Sequence, residues 1–235
     1  MLLRQKLLVL SSIFSLAIFS LTSTVFAQAA GKEWAFDVYL DKNKIGQHSF
    51  KLSDSGDLLS EADFKIKIVF ITAYTYHHVS KEQWKATEQS KDSCLTKLEA
   101  DTIENKVVSK VNGQVNNGKF ELKAKVGKDE KVQSLPECVM TFAYWNPKIL
   151  TQTKLLNPQN GDYLKANFKL IGDEKIEVNG EQKSAKHYHL FANSAEANAD
   201  TKPKLNIDLW YDNNNDWLAL KSITPEGYTI SYKRK

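Results

Sequence analysis

The short motifs that identify many enzymes are missing from this chain of 235 residues. It has no GxSxG turn for a nucleophilic serine, no GxxxxGK[ST] or GxGxxG loop for phosphate groups, and no HExxH pair for zinc. Its paired carboxylates lie beside lysines in polar, turn-like stretches, where solvated side chains are expected. The sequence therefore gives no support for a catalytic site, and no cofactor is expected.

An excess of positive charge is also lacking. The whole chain has 32 Lys and Arg against 28 Asp and Glu. Arg4 and Lys6 are the only charged residues in the first 29, so 30 bases and 28 acids remain beyond them. Binding of nucleic acid needs a clustered basic face, and attraction to anionic lipid needs a polybasic run. Neither is present, so no nucleic-acid partner is expected.

Cysteine occurs only twice, at Cys94 and Cys138. Neither residue belongs to a CxxC motif or has a histidine nearby in the sequence. In an oxidising compartment an isolated pair most often forms one disulfide. We predict a Cys94–Cys138 disulfide, the alternative being two free thiols or one reactive thiol.

A long apolar run is found only near the N-terminus, at residues 7–21, after the positive charges of Arg4 and Lys6. Small residues at 25–29 follow it, which is the layout of a cleaved secretory signal peptide. The alternative is an uncleaved anchor helix, since residues 7–26 are nearly long enough to span a bilayer. We predict a signal peptide at 1–29, one domain at 30–235 without an integral membrane span, and a periplasmic or secreted location.

Alternation of apolar and polar residues is abundant from Trp34 to the end, and it is typical of half-buried strands. In the clearest strand, Phe64, Ile66, Ile68 and Phe70 share one face. The dipeptide Asn179-Gly180 is a strong hairpin turn. Roughly a dozen antiparallel strands with short turns predict an all-β fold, with a single strongly curved antiparallel sheet that forms a barrel or half-barrel.

Residues 136–161 interrupt this pattern with three prolines and little alternation. Proline cannot donate to a strand ladder, and Asn146-Pro147 can start a short helix. We therefore expect one or two helical turns within 147–156. The aromatic residues Phe142, Tyr144 and Trp145 would suit either a lid over an apolar cavity or a plug that fills the barrel end.

Four stretches together resemble a known family. They are WAFDVYLDKNKIGQHSF at 34–50, CVMTFAYWNP at 138–147, LLNPQNGDY at 155–163 and IDLWYD at 207–212. These stretches are similar to an uncharacterised family of secreted Gram-negative bacterial proteins, a domain of unknown function. The resemblance implies an envelope protein with an all-antiparallel fold, and it brings no catalytic residues. More distantly, the layout is similar to lipoprotein-localisation-type half-barrels, which hold acyl chains, although a fold alone does not fix a function.

The leading hypothesis is a non-enzymatic periplasmic protein that binds an apolar ligand such as a lipid or acyl chain. A large sheet must bury its apolar face against itself, against the 136–161 segment or against a ligand, because few helices are available to cover it. The candidate ligand-lining residues are Phe64, Ile66, Ile68, Phe70, Phe142, Tyr144 and Trp145. The identity of the ligand and the oligomeric state do not follow from the sequence.

Two alternatives remain open at this point. His187 and His189 share a strand face and, with a third ligand such as Asp208 or His48, could hold Zn²⁺ or Cu²⁺ in an envelope or lipid-metabolism enzyme. Solvated or hydrogen-bonded histidines are the simpler interpretation, because their apolar neighbours point the other way. The second alternative is an interaction module whose edge strand, expected at 228–232, pairs with another protein.

Overall fold

The structure is a computed structural model that describes residues 31–68, 71–86, 93–194, 203–224 and 226–235. The predicted signal peptide and Phe70 lie outside the described residues, and so does the side chain of Ile68. The described strands are β1 (Lys32–Leu40), β2 (Asn43–Leu52), β3 (Asp57–Ile68), β4 (Ile71–Ala86), β5 (Ser93–Glu104), β6 (Val107–Asn116), β7 (Lys119–Val126), β8 (Asp129–Pro136), β9 (Lys154–Leu156), β10 (Tyr163–Val178), β11 (Glu181–Asn193), β12 (Leu205–Tyr211), β13 (Trp217–Ile223) and β14 (Thr229–Arg234).

All of these strands belong to one antiparallel sheet, in the order β8-β7-β6-β5-β4-β3-β2-β1-β14-β13-β12-β11-β10-β9. Two meanders, β1 to β8 and β9 to β14, are therefore joined where β1 pairs with β14. The terminal strand was expected to be a free edge, and this prediction is wrong. Because β14 pairs with both β1 and β13, it lies inside the sheet, and the edge strands are β8 and β9.

The β8 edge lies against the turn between β9 and β10, and side chains bridge this seam. The Nζ atom of Lys131 in β8 lies 2.5 Å from Oδ1 of Asp162, and Nε2 of Gln133 donates to the carbonyl of Gly161 at 2.8 Å. A Cβ atom at Gly161 would lie 2.6 Å from Cβ of Ala124, so only glycine allows this close approach. The sheet is therefore a strongly curved, unclosed barrel, which confirms the predicted all-β half-barrel.

The two-residue alternation predicts which side chains point inward. Trp34, Phe36 and Val38 of β1 are fully buried, and the inward side chains of the other strands join the same core. Register shifts at Val38/Tyr39, Ile66/Lys67, Gln83/Trp84, Leu170/Gly172 and Trp210/Tyr211 interrupt the ladders. Such bulges bend a strand and increase its twist, which helps the sheet to curl.

The plug segment (residues 136–161) packs inside the barrel. The ring of Trp145 lies 5.9 Å from that of Trp34 and 5.4 Å from that of Trp84, and Ile149 is fully buried. Trp145 is therefore part of the core and not of an open lid. A 3₁₀ helix spans Pro147–Thr151, with the side chain of Asn146 as its cap. This helix confirms the first part of the predicted helical stretch, whereas the residues after it form β9.

The Cys94–Cys138 pair fastens the start of the plug segment to β5. The two sulfur atoms lie at disulfide-bonding distance and the Cα atoms are 5.0 Å apart. An isolated β-bridge between Leu95 and Val139 follows directly, with the Leu95 amide donating to the Val139 carbonyl at 3.2 Å. The predicted pairing is consistent with this geometry, and it fixes where the plug segment leaves the sheet.

Candidate functional site

An aromatic crevice lies inside the barrel, between the plug segment and the inner faces of β2, β3, β4 and β14. We define it by His48, Phe64, Tyr76, Tyr144 and Tyr232. His48, Tyr144 and Tyr232 point inward, yet each keeps some solvent-accessible surface and is only half-buried. The core therefore does not cover these three side chains completely.

Four of the five crevice side chains, His48, Phe64, Tyr76 and Tyr232, are linked by ring-to-ring contacts. Phe64 stacks on Tyr76 with centroids 5.1 Å apart, because the two residues are directly opposite each other on β3 and β4. The ring of Tyr232 lies 5.7 Å from that of His48 and 6.5 Å from that of Phe64. On the plug side, Tyr144 is fixed by its own backbone, since its carbonyl accepts a hydrogen bond from the Tyr211 hydroxyl at 2.8 Å.

The polar groups of the crevice form hydrogen bonds with each other and with neighbouring hydroxyl groups. Nε2 of His48 lies 2.8 Å from Oγ of Ser60, and Nδ1 lies 3.1 Å from the Tyr232 hydroxyl. Deeper in the wall, Nδ1 of His78 lies 2.8 Å from Oγ1 of Thr102.

Burial sets the protonation state of these groups. It lowers the pKa of His48 to about 3, with a smaller contribution from the nearby His78. Burial likewise lowers the pKa of His78 to about 4. It also raises the pKa of Tyr144 and of Tyr232 above the usual tyrosine range. At neutral pH these four side chains are therefore uncharged.

The structure brings part of the predicted ligand-lining set together. Phe64 belongs to the ring cluster of the crevice, and Tyr144 is half-buried on the plug side of it. Ile66 follows Phe64 on the same face of β3 and is half-buried. Phe142 packs against the core with its ring 6.2 Å from that of Tyr144. Trp145 points away from the crevice into the plug contact described above.

Sequence reasoning missed the polar side of the crevice. His48 stands at an inward position of β2, but it was considered only as a metal ligand. Tyr76 and Tyr232 also stand at inward positions of alternating strands, and that alternation is the signal that could have found them. Their contact with His48 could not be predicted, because Tyr232 is 184 positions away in the sequence.

A buried carboxylate joins the plug segment to the barrel wall. Glu82 is 4% exposed and accepts hydrogen bonds from Nε1 of Trp84 at 2.9 Å, Oγ of Ser80 at 3.2 Å and Oγ1 of Thr141 at 3.3 Å. Burial raises the pKa of Glu82 to about 7, although the three hydrogen bonds act in the opposite direction. Glu82 therefore titrates near neutral pH while it is bonded to Thr141 of the plug segment.

We expect the substitution Glu82→Gln to stabilise the protein above pH 7. Between pH 4.5, the ordinary pKa of a glutamate, and about pH 7, the folded state keeps the Glu82 proton whereas the unfolded state loses it. Stability therefore falls as pH rises through this window, by about 3 kcal/mol for a shift of this size. Glutamine stays neutral and can still accept from Trp84 and Thr141. Urea unfolding at pH 5 and pH 8 measures the difference.

The exposed Glu61→Gln is the matched control for this experiment, and it should leave the pH dependence unchanged. If Glu82→Gln were less stable than the wild type at pH 8, the carboxylate charge would be stabilising the plug contact. The assignment of Glu82 as a destabilising buried charge would then be wrong.

The two histidines that were considered as metal ligands lie on the outer face of β11. Nε2 of His187 and Nδ1 of His189 lie 2.9 Å and 2.6 Å from the same oxygen, Oδ1 of Asp208. Nδ1 of His187 also lies 3.1 Å from Glu174, which accepts a hydrogen bond from Trp210. Burial would raise the pKa of Asp208, but the hydrogen bonds from the two histidines outweigh it and the pKa is lowered.

This arrangement agrees with the hydrogen-bonded interpretation of the pair. The predicted third ligand Asp208 is indeed adjacent to both histidines. His48 is not available to them, because it faces the inside of the barrel, and its choice as a third ligand was wrong. Within the described ranges no group of three or more His, Cys, Asp and Glu residues is arranged to hold a metal ion. The metal-dependent enzyme remains a prediction without geometric support.

The sequence profile described as "Domain of unknown function (DUF6134)" matches residues 36–235. The chain belongs to this family. A solved structure with a similar fold is the crystal structure of a beta-barrel-like protein of domain of unknown function DUF1849 from Brucella abortus. The TM-score is 0.61 at 10% sequence identity, and the match covers 86% of this chain and 95% of the Brucella protein. This likeness shows the fold alone. A search of curated proteins finds no match.

The surface of this DUF6134 domain also has a depression. An open depression of about 560 Å³ lies where β1 to β5 meet at one end. Its charged lining is mixed and consists of Lys32, Lys51, Lys81, Lys97, Glu33, Asp57, Glu82 and Glu99. Bases and acids of equal number do not favour a ligand of either charge. Across the described stretches, no helix is both long and apolar enough to cross a membrane.

Proposed function

We propose that this DUF6134 domain is a periplasmic or secreted protein that binds an apolar small molecule, such as a lipid or an acyl chain, in the aromatic crevice. The observation that carries this proposal is a cluster of inward aromatic rings, Phe64, Tyr76 and Tyr232 around His48, in which His48 and Tyr232 stay half-buried and accessible. The location is supported by the signal-like residues 1–29 and by a cysteine pair at disulfide-bonding distance, which suits an oxidising compartment.

The chemistry of the walls favours an apolar guest. Aromatic side chains provide a large contact area with few rotatable bonds, and most small-molecule sites are lined by such residues with a few polar groups. Phe64, Tyr76 and Tyr144 supply the apolar area, and His48 and Tyr232 supply the polar groups. The plug segment fills the core beside Trp34 and Trp84, so the ligand reaches the crevice along the inner faces of β3 and β4, past Ile66.

Binding of N-phenyl-1-naphthylamine, an apolar dye whose fluorescence rises in apolar surroundings, tests the proposal. Delipidated wild-type protein should bind the dye in a saturable manner. The substitution Phe64→Ala removes one wall of the crevice and its stacking on Tyr76. It should weaken dye binding about tenfold, which corresponds to about 1.4 kcal/mol.

The matched control is Phe191→Ala, which removes the same side chain from the outer face of β11, where Phe191 is 40% exposed. This variant should bind the dye as the wild type does. Wild-type protein that shows no saturable binding would overturn the proposal. An equal loss in both variants would place the dye outside the crevice and would also count against it.

A further inference from the structure

We infer that the ligand of the crevice is an uncharged amphiphile, with an apolar body and a hydroxyl, ester or similar neutral polar group directed at Tyr232, and not a fatty-acid anion or a cation. This inference rests on the proposed function, and it names the ligand class of that same site. It follows from the charges that surround the crevice and from the hydrogen bonds inside it.

Positive side chains are kept away from the crevice. Three basic residues at inward strand positions near the barrel ends and seam are paired with acids: Lys32 and Arg234 with Asp216, and Lys131 with Asp162. In the described part of the chain, the cation–π contacts of lysine involve Trp34, Tyr163, Trp210 and Tyr39, none of which belongs to the crevice. A buried anion would therefore find no positive charge among these basic groups to offset its desolvation.

Acidic side chains lie at both ends of the inner surface that contains Tyr76 and His78. Glu104 lies in register with Tyr76 and accepts a hydrogen bond from the Tyr74 hydroxyl at 3.0 Å. Glu82 lies two inward positions beyond His78 on β4, against the plug segment. A carboxylate or phosphate placed between them would be desolvated and repelled.

The pKa shifts of the crevice residues show that both signs of charge are unfavourable there. Burial, followed by the nearby tyrosines and Glu104, raises the pKa of Tyr76, which means that negative charge is unfavourable at this position. Burial lowers the pKa of His48 and His78, which means that positive charge is unfavourable a few ångströms away. A space that disfavours both signs of charge suits a neutral guest.

A neutral polar group still finds a partner in the crevice. The chain Ser60–His48–Tyr232 runs through hydrogen bonds of 2.8 and 3.1 Å and ends at the Tyr232 hydroxyl. A hydroxyl can both donate and accept. It can therefore pair with an alcohol or with an ester carbonyl without any change of charge, and the apolar body of the ligand then lies along Phe64.

Displacement of N-phenyl-1-naphthylamine by four compounds that share a ten-carbon chain tests the inference at pH 7.5, with each compound below its micelle-forming concentration. Decan-1-ol and methyl decanoate should displace the dye at concentrations at least tenfold lower than decanoate or decylammonium. The ester is the neutral counterpart of the carboxylate, so chain length and carbonyl position are the same in that comparison.

The substitution Tyr232→Phe keeps the ring and removes the hydroxyl. It should weaken decan-1-ol about fivefold more than it weakens the dye, which carries neither a hydroxyl nor an ester. Tyr39→Phe, on the outer face beneath Lys233, is the matched control and should change neither.

The outcomes separate the two proposals. If the dye binds and either ion displaces it as well as decan-1-ol does, the ligand class is wrong, while the crevice remains a binding site. If the dye does not bind to the wild-type protein, the proposed function fails, and the inference about its ligand fails with it.

Discussion

Replacement of both Cys94 and Cys138 by alanine should lower the free energy of unfolding by about 4 kcal/mol. The disulfide closes a loop across a sequence separation of 44 residues, and the cross-link reduces the conformational freedom of the unfolded chain. A loss of this size is a large part of the roughly 5–15 kcal/mol that typically stabilises a whole domain. Urea unfolding followed by tryptophan fluorescence measures it.

The position of the bond predicts a second effect of the same double variant. Cys138 starts the plug segment, and the Leu95–Val139 bridge directly beyond it is the first contact of that segment with β5. Without the cross-link we expect Trp145 to be less protected, with red-shifted emission under native conditions. Reductant should reproduce both effects in the wild type and should not change the double variant. Unchanged stability on reduction would show that the two thiols are not paired.

Local sequence pattern was sufficient to predict the strands and their inward faces. In β3, Phe64 and Ile66 alternate with lysines, and the structure places them on the inner face as predicted. The reason is that strand periodicity is a property of neighbouring residues. The same applies to the 3₁₀ helix, because Asn146 and Pro147 carry the capping signal within two positions.

Pairing over long distances could not be predicted in this way. The contact of β1 with β14 joins residues almost two hundred positions apart, and no local pattern specifies it. As a result, the terminal strand was expected at an edge when it is in fact central. The same limit hid the crevice, since His48 and Tyr232 meet only through that pairing.

The choice between lid and plug depended on volume, which the sequence does not report. Phe142, Tyr144 and Trp145 are adjacent and chemically similar, yet the structure gives them three different environments. Trp145 contacts two other tryptophans in the core, and Tyr144 faces the crevice. Phe142 is partly buried and packs against the core. A set of aromatic residues in sequence therefore predicted the region of the site but not which member faces it.

Acidification should destabilise the protein steeply, and the two inward histidines should account for most of the effect. The folded-state pKa is about 3 for His48 and about 4 for His78, against the ordinary histidine value of 6.5. As pH falls below 6.5 the unfolded state binds protons that the folded state does not, so stability decreases. Down to pH 4.5 the two groups together cost about 5 kcal/mol by linkage, partly offset by the opposite titration of Glu82.

In the double variant His48→Gln/His78→Gln the unfolding free energy should no longer fall between pH 7.5 and pH 4.5, because glutamine does not titrate. It should rise instead, since the protonation of Glu82 is then unopposed by the two histidines. The change with pH is the quantity to compare, since loss of the imidazole packing also lowers stability at neutral pH. His77→Gln is a stringent control: His77 is next to His78 on β4, but it faces solvent and contacts Asp63. If His77→Gln flattened the pH profile as much as the double variant, the inner face would not carry the acid sensitivity, and the neutral lining assigned to the crevice would be wrong.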